Sequence, residues 1–102
     1  MRLENKVAII TGAGSGIGKE TALLFAEKGA KVVVADVNVK GGEETVAHIK
    51  KNGGEAFFFK LDVTNREQSK QMTKEILEKY GRIDVLINNA GIVQDAFLSK
   101  MT

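Results

Sequence analysis

The chain contains no cysteine and no proline. Without cysteine there is no disulfide and no thiolate chemistry, and a cytoplasmic location is expected. Without proline, no proline-marked linker divides the sequence, and 102 residues are expected to form one small domain with a marginal core. Charge of one sign is scarce: 15 Lys and Arg against 13 Asp and Glu give a formal net charge of +2, with no basic cluster. Nucleic acid and anionic membranes are therefore not expected partners. No apolar run approaches the roughly 20 residues that span a bilayer. The charged opening Met1-Arg2-Leu3-Glu4-Asn5-Lys6 runs straight into a strand and is not expected to be a signal peptide. No cluster has zinc-ligand spacing, no Gly-Lys-Ser/Thr marks a P-loop, and no segment is of low complexity.

What remains is a chain that is 43% hydrophobic and 27% charged, ordinary for a globular domain, and patterned as alternating strands and helices. Val7-Ala8-Ile9-Ile10 reads as a buried parallel strand ending at Thr11. A helix is expected from near Gly16, with Ile17, Thr21, Leu24 and Phe25 recurring at helical spacing, Ala22 and Ala26 allowing close packing on the sheet, and Lys28 and Gly29 ending it. A second strand is read over 31–36, a second helix over 42–52 with Val46 and Ile49 inward, and a third strand over 56–61. Thr64 and Glu67 have capping-box spacing for a third helix, with Asn65 as the alternative cap. Met72, Ile76, Leu77 and Tyr80 share one face of that helix, Gly81 ends it, and a fourth strand over 84–89 buries Val85, Leu86 and Ile87. Short connections imply parallel strands with right-handed crossovers. The expected fold is an α/β, Rossmann-type, doubly wound parallel sheet of strand order 3-2-1-4, incomplete on its C-terminal side.

Polar or glycine-rich residues follow each strand, where such sheets bind ligands. After the first comes Thr11-Gly12-Ala13-Gly14-Ser15-Gly16-Ile17-Gly18, whose glycines fit G-x-x-x-G-x-G. Residues without Cβ let backbone approach an anion, and a helix N-terminus offers unpaired N–H groups and a positive dipole end. A sharp strand-to-helix turn alone also wants glycine. Asp36 ends the second strand, 20 positions beyond Gly16, where a carboxylate can accept from both ribose hydroxyls and repel a 2′-phosphate. No Arg or Lys stands at Ser15, Asp36 or Val37 to welcome that phosphate. An Asp opening a turn is the plainer reading. Asp62 can meet an adenine edge or cap the turn before the third helix. In Asn88-Asn89-Ala90-Gly91, one amide can tie strand ends together while the other faces a cofactor. His48 reads as a solvated helix residue and Tyr80 as a packing residue. Glu43, Glu44, Lys50 and Lys51 read as a solvated face.

These motifs, in this order and spacing, resemble the short-chain dehydrogenase/reductase family over essentially the whole chain. The resemblance implies a nicotinamide dinucleotide and hydride transfer between a carbonyl and an alcohol substrate. It implies that Gly12, Ser15, Gly16, Ile17 and Gly18 hold the pyrophosphate. Asp36 and Val37 then favour NAD over NADP, Asp62 and Val63 meet the adenine, and Asn89, Ala90 and Gly91 meet the adenine-side ribose and nearby atoms. The tail from Ile92 to Met101 looks like the 3-oxoacyl-(acyl-carrier-protein) reductase branch of fatty acid biosynthesis, many of whose members prefer NADP; Asp36 departs from that. The family's catalytic Asn, Ser, Tyr and Lys fall beyond position 102. Residues 1–102 are thus expected to be the N-terminal, cofactor-binding part of one domain, inactive alone and part of a homo-oligomer. The alternative is a non-enzymatic dinucleotide-binding or scaffold fragment.

Overall fold

The computed structural model describes residues 2–89, so Ala90, Gly91 and the tail from Ile92 onward lie outside the described residues. The elements run β1 (Val7–Thr11), α1 (Gly16–Glu27), β2 (Lys31–Asp36), α2 (Val39–Lys51), β3 (Glu55–Lys60), α3 (Arg66–Tyr80) and β4 (Val85–Asn88). The four strands are parallel in the order β3-β2-β1-β4, as the alternating pattern implies. β1 and β2 lie inside the sheet with helices on both faces. Their aliphatic runs are accordingly buried without alternation. β4 is paired to β1 alone among the described residues, and Val85, Leu86 and Ile87 are only half-buried, not buried as expected.

Two apolar clusters flank the sheet. Ala8, Ile10, Val32 and Val34 point toward α1 and α2 and meet Ala22 and Ile49. Val7, Ile9, Val33 and Ala35 point to the other side and meet Leu61, Met72 and Ile76 around α3. The face that α1 turns inward matches the expected one at Ala22, Phe25 and Ala26 and differs at Ile17 and Leu24. Gly18 and Ala22 are buried, with Leu23, Phe25 and Ala26 packed beside them, while Ile17 is 77% and Leu24 45% exposed. The cause is a close helix-to-strand approach: a Cβ on Gly18 would stand 2.0 Å from the Gly12 carbonyl oxygen. Only the smallest side chains fit that seam, which is why Gly18 and Ala22 occupy it and Ile17 and Leu24 do not.

Caps explain the other shifts. α2 begins at Val39, three residues before the expected Gly42, because the Asn38 side chain accepts from the Gly41 N–H at 3.0 Å. α3 is capped by Asn65, whose side chain accepts from Gln68 N–H at 3.1 Å; Thr64 instead donates its hydroxyl to Asp62 at 2.6 Å. Leu77 is 41% exposed rather than inward. Ser69 and Thr73 are buried in addition to Met72 and Ile76, and the Thr73 hydroxyl is satisfied by the Ser69 carbonyl at 2.9 Å. Gly81 closes α3 in the left-handed region, its N–H donating to Leu77 at 2.8 Å.

Tyr80 packs on Phe57 with ring centroids 6.0 Å apart, beneath the Lys31 ammonium. Burial, then the charge and hydrogen bond of Glu55, push its phenol up to about 12. It stays protonated near neutrality, as suits a packing residue. No helix among the described residues is long and apolar enough to cross a membrane.

Candidate functional site

The four strand ends expected to carry function lie along one sheet edge in the spatial order Asp62, Asp36, glycine loop, Asn89. The loop leaves β1 with Gly12 and Gly16 at φ +63 and +56, conformations that side chains disfavour. Ser15 then opens α1 in an extended conformation without capping it through its side chain, and the first turn holds no acidic residue. α2 and α3, by contrast, each have an Asn side chain accepting from an early N–H. The α1 terminus therefore keeps both its N–H groups and its dipole for an external acceptor. A Cβ on Gly16 would meet nothing within 4 Å, so the loop is open on that side. Ile17 stands exposed beside it, while Gly18 is buried against Gly12.

Asp36 is joined directly to this loop. One carboxylate oxygen accepts from Gly14 N–H at 2.8 Å and the other from Asn38 N–H at 3.0 Å. The turn reading of Asp36 is borne out by the Asn38 bond, and the same carboxylate is tied to the glycine loop, with lone pairs left for further donors. Val37 follows it, 58% exposed. Asp62 acts as a turn cap: its Oδ1 accepts from the Thr64 hydroxyl and, at 2.9 Å, from the Thr64 N–H. These bonds hold its carboxyl below the usual carboxylate range. Val63 packs on the α3-side core.

At the end of β4, Asn88 is the amide that ties strands, accepting from the Thr11 hydroxyl at 2.8 Å. Asn89 is exposed and its N–H donates to Thr11 Oγ1 at 3.0 Å. His48 is exposed on α2, as expected. Among the described residues no group of three His, Cys, Asp or Glu could hold a metal. A hollow of about 460 Å³ between the C-terminal ends of α1 and α2 includes His48, but it lies away from the strand ends that gather the polar residues.

Two sets of residues had no clear sequence signal. Asp84 closes the opposite end of the sheet. Its carboxylate accepts from Val7 N–H at 2.8 Å and from Arg82 at 2.8 and 2.9 Å, and the Arg82 bonds, foremost, hold it below the usual range. Gly41, Gly42 and Thr45 of α2 pack on the back of the glycine loop. A polar residue at helical spacing behind a cap is common enough to pass unnoticed.

Comparisons with known proteins match the chain in sequence and in fold. The family profile described as short chain dehydrogenase matches residues 6–102. An uncharacterised oxidoreductase of Listeria monocytogenes is 52% identical over 101 residues, 99% of this chain and 41% of its own. A 3-oxoacyl-(acyl-carrier-protein) reductase of Thermotoga maritima is 48% identical over 101 residues, with the same two coverages of 99% and 41%. A solved 7α-hydroxysteroid dehydrogenase complexed with NADH and 7-oxo glycochenodeoxycholic acid superposes with a TM-score of 0.80 at 44% identity, covering 83% of this chain and 33% of that one. The chain thus spans about two fifths of the length of the curated relatives it matches.

Proposed function

The chain belongs to the short-chain dehydrogenase family, and from that premise we propose that it forms the NAD(H)-binding part of an oxidoreductase acting between a carbonyl and an alcohol. The observation that carries the reading is the uncapped α1 terminus behind a glycine loop, with the Asp36 carboxylate joined to the same loop. These residues fit a dinucleotide. Gly12, Ser15, Gly16, Ile17 and Gly18 would hold the pyrophosphate, which an open loop and unspent N–H groups suit. Asp36 and Val37 would take the adenosine ribose, Asp62 and Val63 the adenine, and Asn89, with Ala90 and Gly91, the adenine-side ribose and nearby atoms. When bound, the nicotinamide supplies or accepts the hydride. What this part of the protein contributes is binding, orientation and charge selection. A 3-oxoacyl thioester is the proposed substrate, on the likeness to the Thermotoga maritima reductase.

Cofactor choice tests the reading. NADH should bind the full-length protein more tightly than NADPH, because a 2′-phosphate beside Asp36 sets two anions together. At ~4 Å such a pair costs about 1 kcal/mol in water and about 4 near a protein surface. Asp36→Ala should narrow the gap by about tenfold or more. Part of that change comes from weaker NADH binding, since the Gly14 N–H loses its acceptor. Calorimetric titration at matched ionic strength measures both affinities. Equal affinities in the wild-type protein would remove Asp36 from the selection of cofactor.

A further inference from the structure

Thr45 is wholly buried in α2, and its hydroxyl lies 2.9 Å from the Ala13 carbonyl oxygen and 3.1 Å from that of Gly41. The contact with Gly41 is the back-bond that a helical Thr makes to its own preceding turn. The shorter contact leaves the helix and reaches the glycine loop across 32 positions of sequence. Ala13 is itself fully buried, so its carbonyl has no route to water.

The glycine pair one turn earlier touches the same loop. A Cβ on Gly41 would stand 2.6 Å from the Gly14 carbonyl oxygen, and a Cβ on Gly14 would stand 3.1 Å from the Gly42 nitrogen. Glycines near a helix start weaken the helix. Here they let two backbones meet where no side chain fits.

These contacts determine directions. In a trans peptide the carbonyl and the following N–H point opposite ways, and the described chain has no cis bond. The Ala13 carbonyl turned to Thr45 sends the Gly14 N–H the other way, to Asp36. The Gly14 carbonyl turned to Gly41 sends the Ser15 N–H away from α2. An anion held by backbone N–H groups depends on those directions being fixed before it arrives.

We infer that the first turns of α2 are a positioning clasp for the glycine loop, with the Thr45 hydroxyl as its latch and Gly41 as its stop. The inference rests on the dinucleotide reading of the loop. Thr45 is a positioning residue that acts through Ala13 and not by touching the cofactor.

The test uses the full-length protein, with NADH and adenosine as probes. Thr45→Val leaves the buried Ala13 carbonyl without its donor and is expected to weaken NADH binding by about tenfold. Adenosine carries no phosphate and meets the loop only through Asp36, so it should lose affinity by clearly less than NADH does. Thr45→Ser keeps the hydroxyl and should restore NADH affinity. Gly41→Ala displaces the Gly14 carbonyl, while also crowding the Asn38 cap at 2.7 Å, and should repeat the Thr45→Val pattern, which keeps the inference testable if Thr45→Val does not fold. NADH affinity unchanged in a folded Thr45→Val or Gly41→Ala protein would overturn the clasp. So would equal losses for NADH and adenosine, the mark of a merely structural role. A wild-type protein that binds no NADH overturns the dinucleotide reading itself, and that result is seen before any variant is compared.

Discussion

Replacing Gly18 with alanine is expected to abolish dinucleotide binding and to lower stability by about 3 kcal/mol or more, the upper range for overpacking. The added Cβ would lie 2.0 Å from the Gly12 carbonyl oxygen, 2.7 Å from its carbon and 3.1 Å from Ala13 Cα. All three neighbours are backbone, so no rotamer change relieves the collision. Either α1 moves off β1 or the loop between them changes shape, and both outcomes spoil the proposed pyrophosphate cradle. Gly16→Val makes the informative contrast. Its Cβ meets nothing within 4 Å, but the position has φ +56. A left-handed conformation costs a non-glycine residue roughly 1–2 kcal/mol, so the fold should survive. Binding should still be lost, because the branched side chain stands on the open side of the loop. Urea midpoints with NADH titrations on both variants read the two effects separately. Full NADH affinity in Gly18→Ala would refute the role given to this seam.

The second large effect is expected at the other end of the sheet. Asp84→Ala strands the Val7 N–H, at the start of the buried central strand, and should cost about 1–3 kcal/mol. The pH dependence follows from the direction of the Asp84 shift. Its carboxyl is held below the usual value of 3.8 in the folded protein, by Arg82 first and then by the Val7 N–H. The folded state therefore binds that proton less readily than the unfolded chain. The stabilisation is present in full above the unfolded value and is lost as pH falls through the lower, folded value. Wild type minus Asp84→Ala, measured by urea unfolding at several pH values, should be flat at neutrality and shrink only in the acid range below 3.8. A difference that stayed constant down to the acid limit would show that the carboxylate charge contributes nothing.

Much of this architecture is legible in the sequence because one physical signal dominates it. Strands buried on both faces need unbroken aliphatic runs, and Val7 to Thr11 and Lys31 to Asp36 have the bounds such runs predict. Short alternating elements then leave few topologies, and the order 3-2-1-4 follows. The glycines, Asp36, Asp62 and the Asn pair could be placed at one edge for the same reason. The errors arise where packing is decided by smallness or by one hydrogen bond. Ala22 and Ala26 signal a close approach of α1 to the sheet, but the part of Gly18 in it has no such signal, and the larger Ile17 and Leu24 are left outside. Gly41 lies just before the expected start of α2, yet it sits with Gly42 in the first turn, where both come close to the loop. Asp84 and Thr45 act across 77 and 32 residues of sequence, a range over which spacing carries no signal.

The pairing of β1 with β4 also bears on how the domain assembles. β1 with β2, and β2 with β3, join strands separated by a single helix. β1 and β4 close over nearly the whole described chain, through Asp84 to Val7 and Thr11 to Asn88, each 77 positions apart. Loop closure grows costlier with the length enclosed, and distant contacts form only after that cost is met. The three-strand part can therefore form first from local units, with the β1–β4 seam added after the rate-limiting barrier. Substitutions at Asp84 should then accelerate unfolding and leave the refolding rate almost unchanged. The native sheet should open first along that seam, so amide exchange in β4 should outpace exchange in β2.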